Sequence, residues 1–168
     1  MTNESADTNS PTSNPSAPQA DSAPRVVSAS ALVHAPADKI FELIADPAQQ
    51  PRWDGNNNLG HADSGQRIHQ VGDVFAMALT APGTVRENHV VEFEEGRLVA
   101  WKPAEPGRPP IGQLWRWQLE PTPDGTLVTH TYDWTGLTDE HRQVRARATT
   151  SDKLMASITR LKALAEQE

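Results

Sequence analysis

The alternation of hydrophobic and polar positions changes rhythm several times along this chain, and each rhythm predicts an element. Residues 25–34 are rich in Val, Ala and Ser and stop short of Pro36, which suits a first strand. Ile40, Phe41, Leu43 and Ile44 follow at helical spacing, with Pro36 placed to open a helix and Asp46-Pro47 to close it. A second short helix is predicted from Pro47 to Trp53. The stretch 54–70 holds three Asn, three Gly and no long apolar pattern, and reads as a loop with a weak strand near Leu59.

From Val74 onward the period is two. Strands are predicted at Val74–Thr80, Val85–Glu94, Arg97–Lys102, Gln113–Glu120 and Leu127–Trp134. Ala81-Pro82-Gly83, Glu95-Gly96 and Pro123-Asp124-Gly125 mark turns, and a Pro- and Gly-rich loop spans residues 103–110. Beyond Thr138 there is neither Pro nor Gly. One long helix is expected there, with Val144, Ala148, Leu154, Met155, Ile158, Leu161 and Ala165 as its apolar stripe. Strand, two short helices, a run of antiparallel strands and a terminal helix make an α+β fold. Its curved antiparallel sheet needs the long helix to cover the concave face.

Composition narrows the picture. Residues 1–24 are almost wholly Ser, Thr, Asn, Pro, Ala, Asp, Glu and Gln, with Met1 the only large apolar residue. Such a segment cannot offset its ordering entropy, so residues 1–24 are expected to be a disordered polar tail and residues 25–168 one domain. Lys and Arg number 15 against 22 Asp and Glu, a net charge of -7, which argues against nucleic acid or an anionic membrane as partner. The absence of Cys removes disulfides, thiolate metal sites and cysteine nucleophiles. No apolar run approaches the ~20 residues of a membrane-spanning helix. No secretory signal is visible, so the expected location is the cytoplasm. An obvious oligomerisation stripe is also missing, and the expected state is a monomer or weak homodimer.

Several short phrases resemble a known family. Ala35-Pro36-Ala37, Ile40-Phe41 and Ala45-Asp46-Pro47, leading to Trp53, are similar to the opening of the START-like, or SRPBCC, superfamily. Val71-Gly72-Asp73-Val74-Phe75 resembles the start of that family's third strand, and Gly125-Thr126-Leu127-Val128 its last hairpin. The Leu-Lys-x-x-Ala-Glu pattern at Leu161–Glu166 resembles its terminal helix. The likeness covers residues 25–168 and looks most like the polyketide cyclase/dehydrase-like branch. It implies a helix-grip fold, in which about seven strands wrap a long helix around an apolar cavity, with Trp53 capping the cavity mouth.

Catalytic signatures are few. There is no Gly-rich phosphate loop, no GxSxG and no HExxH, and the six His form no i, i+4 helical pair, so neither a metal nor a cofactor is expected. Strand parity is more informative, because side chains at i and i+2 share a face. Val128, His130, Tyr132 and Trp134 share one face of the last strand, and Trp115, Trp117 and Leu119 one face of the strand before it. Phe75, Met77 and Leu79 do so in the strand from Val74. Val91 and Phe93, taken as interior, bring His89 and Glu87 inward with them. Arg147, Met155 and Ile158 would face the cavity from the helix.

Aromatic walls with a few titratable groups suit a hydrophobic, aromatic or polycyclic small molecule. The pattern is compatible with a carrier and with a cofactor-free cyclase, dehydratase or isomerase. In the enzyme reading His130, Tyr132 and Glu87 are the acid/base candidates. Trp53, Phe75, Met77, His89, Val91, Trp115, Trp117, Val128, Trp134, Arg147, Met155 and Ile158 would contact the ligand. The alternative is a protein-interaction or co-chaperone-like module whose cavity is filled by its own side chains. A void below about 300 Å³ would favour it.

Overall fold

The first and last strands of the sheet lie side by side, which folds the chain back on itself. A computed structural model describes residues 24–167. The polar tail expected at 1–24 lies outside the described residues except for Pro24. In chain order the elements are β1 (Val26–Val33), α1 (Ala37–Ala45), a 3-10 helix (Pro47–Arg52), β2 (Leu59–His61), β3 (Val74–Leu79) and β4 (Val85–Glu94). They continue with β5 (Leu98–Ala104), β6 (Leu114–Thr122), β7 (Gly125–Asp133), α2 (Glu140–Arg147) and α3 (Ser151–Ala165). The sheet has seven antiparallel strands in the order β1-β7-β6-β5-β4-β3-β2, the α+β arrangement that the alternation implies and the helix-grip fold that the family resemblance implies.

Local chemistry explains the short helices. In α1, Ile40, Phe41, Ile44 and Ala45 bury one face. Asp46 ends the helix, and its Oδ1 accepts the Ala48 N–H at 3.1 Å to cap the 3-10 helix. Trp53 closes that helix and donates its indole N–H to the Leu43 carbonyl at 2.7 Å. The following loop is stitched to α3 at Gly55, whose N–H donates to Ser157 Oγ at 2.8 Å. A Cβ at Gly55 would fall 2.5 Å from the Lys153 carbonyl oxygen and 2.6 Å from the Ser157 nitrogen, so only glycine allows this approach.

α3 packs on β1, β7 and α1 and buries Leu154, Ser157, Ile158, Leu161 and Ala165. Each of its large apolar side chains contributes about 1.5–3 kcal/mol by leaving water. The C-terminal segment is two helices, not the single long one expected. Thr150 is extended (φ −95, ψ 166) and starts α3 afresh. An extended residue resets the 3.6-residue phase, so a stripe drawn across it fails on both sides: Val144 is 65% exposed and Met155 36%.

A second correction concerns β4. Its register against β5 runs Val90↔Trp101 and then Glu92↔Ala100, so Val91 is the extra residue of a β-bulge. Phe93 packs inward as expected, but the facing reverses ahead of the bulge. Asn88 and Val90 are buried there, in place of His89 and Val91.

Candidate functional site

A hollow of about 340 Å³ lies between the concave face of the sheet, the loop after the 3-10 helix, and α2 with the start of α3. That volume exceeds the roughly 300 Å³ at which small-molecule pockets begin. Its floor comes from strand pairing. Trp115 lies opposite Tyr132 and Trp117 opposite His130, because β6 and β7 pair in that register. The rings stack accordingly: Trp115 on Tyr132 at 4.1 Å between centroids, Trp117 on His130 at 3.7 Å and 11°. Trp53 meets the edge of Trp117 at 5.1 Å, and Trp101 stands beside Trp115 from β5. Aromatic pairs of this kind add about 0.5–1.5 kcal/mol each beyond their buried area and hold the rings in one row.

Two polar groups stand in that floor. His130 is buried, and its Nδ1–H donates to the Arg116 carbonyl at 3.0 Å. A carbonyl only accepts, so Nδ1 carries the proton and Nε2 is left as a bare acceptor on a ring lining the cavity. Burial pushes the pKa of His130 down to about 3, against the opposing pull of the Arg116 carbonyl, and the ring stays neutral. Burial raises the Tyr132 phenol, despite the hydrogen bond that Gln113 Nε2 donates to its oxygen at 3.4 Å. Tyr132 therefore remains a protonated donor.

The rim is polar. Asp54 lines it, but its carboxylate accepts the backbone N–H groups of Asn56, Asn58 and Leu59 at 3.0, 2.9 and 3.0 Å. Arg86 and Asn88 enter from β4, and Arg142 and Arg145 from α2. The Arg116 side chain points the other way, to Glu92 on the outer face at 2.6 Å.

Of the residues singled out from the sequence, Trp53, Met77, Trp115, Trp117, His130 and Tyr132 line the hollow. Phe75, Val128 and Ile158 are buried in the core around it, not in its wall. The bulge carries Glu87, His89 and Val91 away from it, and Glu87 Oε1 accepts the Gly107 N–H at 2.9 Å. Trp134 belongs to a separate cluster with Leu137, Ala146 and Leu154. Arg147 lies over the Trp134 ring at 5.6 Å, and Met155 faces solvent. Trp101, Arg86, Asn88 and the α2 arginines were missed. Parity shared with Val99 would have revealed Trp101; nothing in the alternation reveals the bulge or the break before α3.

Among the described residues no group of three or more His, Asp or Glu is arranged to hold a metal ion, and no helix is long and apolar enough to cross a membrane.

Comparison with known proteins agrees with this geometry. The family model described as polyketide cyclase / dehydrase and lipid transport matches residues 24–166. Over 118 residues the chain is 30% identical to an uncharacterized protein of Mycobacterium tuberculosis, covering 68% of this chain and 50% of that protein. It thus spans about half the length of the curated relatives it matches. Among solved structures, ginseng major latex-like protein 151 from Panax ginseng superposes with a TM-score of 0.60 at 16% identity, covering 84% of this chain and 97% of that one. The Aha1 dimer from Colwellia psychrerythraea gives 0.57 at 18% identity, over 84% and 97%. At these identities the structural likeness shows the shared fold.

Proposed function

The chain belongs to the polyketide cyclase / dehydrase and lipid transport family of START-like proteins, and from that premise we propose that it binds a hydrophobic aromatic small molecule in the hollow over the Trp–His–Tyr floor. The observation that carries this reading is the stacked floor itself, with an acceptor, His130 Nε2, and a donor, Tyr132 Oη, set among the indole rings. The row presents ring edges to the hollow, so a ligand ring would meet it edge to face, and a hydroxyl or carbonyl on the ligand would meet one of the two polar atoms. At about 340 Å³ the space suits a ligand of one or two rings better than a tetracyclic one, and it speaks against a cavity filled by its own side chains.

Binding without proton transfer is the better reading of the chemistry. A general base works best when its pKa lies near the operating pH, and His130 at about 3 is far below it. Glu87, the carboxylate that would have assisted, faces the other side of the sheet. The wall carboxylate, Asp54, is held by three backbone N–H groups.

Titration with 2-naphthol, followed by quenching of tryptophan emission, tests the reading. Saturable quenching is expected in the parent protein and not in Leu79→Trp, which places an indole in the hollow from its β3 wall. Linear, non-saturating quenching in the parent, or equal affinity in the blocked variant, would refute it.

A further inference from the structure

The charges around the hollow are one-sided. Arg86, Arg142, Arg145 and Lys153 line it, against a single acid, Asp54, whose carboxylate is already saturated. The chain as a whole carries -7, so composition alone would have put acids here. Register puts Arg86 on the concave face: it lies opposite Met77 of β3, which also lines the hollow. Asp139 fixes the start of α2 by accepting the N–H groups of His141 and Arg142, and so holds the two α2 arginines at the rim.

Their compensation is unequal. Arg142 is paired with Glu105 at 2.6 Å and lies 3.7 Å from Asp139. Arg86 donates to the Val85 carbonyl at 3.1 Å, and among the described residues neither Arg86 nor Arg145 has a carboxylate partner. Burial, and then the charge of Arg142, lowers the pKa of Arg86; Arg145 pushes the same way and Glu105 opposes both. Arg86 is thus a partly desolvated cation repelled by two others at the same rim, and an incoming anion relieves that repulsion.

Resting on the reading of the hollow as a ligand site, we propose that its ligand is an aromatic carboxylate, with the ring system against Trp101, Trp115 and Trp117 and the carboxylate held between Arg86 and Arg145. The planar guanidinium fork matches a carboxylate through two parallel hydrogen bonds, which a neutral amide cannot reproduce. Arg142, already engaged by Glu105, adds charge from behind.

The test compares 2-naphthoate with its neutral isostere 2-naphthamide at neutral pH, by quenching of tryptophan emission. The parent protein is expected to bind naphthoate at least about tenfold tighter, as charge-assisted hydrogen bonds imply. Added salt should narrow the gap by weakening naphthoate. Arg86→Met and, independently, the more exposed Arg145→Gln should each bring the two probes closer together. Equal affinity of the parent for both probes overturns the anion assignment while leaving the ligand site intact. Failure of both probes to bind overturns the ligand site and this inference with it.

Discussion

Replacing His130 with Phe should flatten the acid side of the stability profile. In the unfolded chain this imidazole takes its proton near the ordinary value of 6.5; in the folded protein it does not do so until about 3. Between those values the unfolded state binds more protons, so stability must fall as the pH falls. The full contribution is present above the unfolded value and is lost on the way down. Between about pH 7 and about pH 5 the loss from this one group is about 2 kcal/mol, whatever the folded value, provided it lies below about 4. Phe keeps a ring to stack on Trp117 but cannot titrate. It also leaves the Arg116 carbonyl without its donor, at a cost of about 1–3 kcal/mol at neutral pH. Urea unfolding followed by tryptophan emission, at a series of pH values, should show the variant less stable at neutral pH and the two profiles converging by about 2 kcal/mol on acidification. Every other titrating group is common to both proteins and cancels. Parallel profiles, offset by a constant amount, would refute a buried neutral His130.

Two further predictions concern the loop contact and the bulge. Gly55→Ala forces a Cβ against the backbone of Lys153 and Ser157 and should cost about 1–3 kcal/mol, read as a lowered melting temperature; an unchanged melting temperature would mean that the loop does not press on α3. Glu87→Gln should leave 2-naphthol affinity within about twofold, whereas Tyr132→Phe should weaken it about fivefold, the worth of one hydrogen bond; the reverse ranking would put Glu87 back in the cavity.

Much of this molecule was legible because its signals are local or strictly periodic. Pro36, Asp46-Pro47 and the Pro123-Asp124-Gly125 turn bracket elements in the positions expected. Parity alone put Trp115 and Trp117 on one face of β6 and His130 and Tyr132 on one face of β7, since both strands run without interruption; the register that pairs them comes from the structure. The errors share one cause. Counting by twos from Phe93 assumed a regular strand, and counting by 3.6 from Thr138 assumed a continuous helix. One extra residue at Val91 and one extended residue at Thr150 reset those counts. Neither is announced locally: Val91 is an ordinary strand former, and Thr149-Thr150 is tolerated in helices. Non-local pairing with Ala100 and Trp101 fixes the first. The stitch between Gly55 and Ser157 fixes where α3 lies from its middle turn.

The extra residue in β4 also bears on how such a protein diversifies. Val90 and Glu92 already pair with the neighbouring residues Trp101 and Ala100, so loss of the single codon for Val91 would leave a regular ladder with every side chain on its present face. Arg86 and Asn88 would stay in the lining, and Glu87 and His89 would stay outside it. The bulge can thus be gained or lost in one mutational step, and descendants of one ancestral gene could differ in the twist of this strand while keeping the same cationic lining.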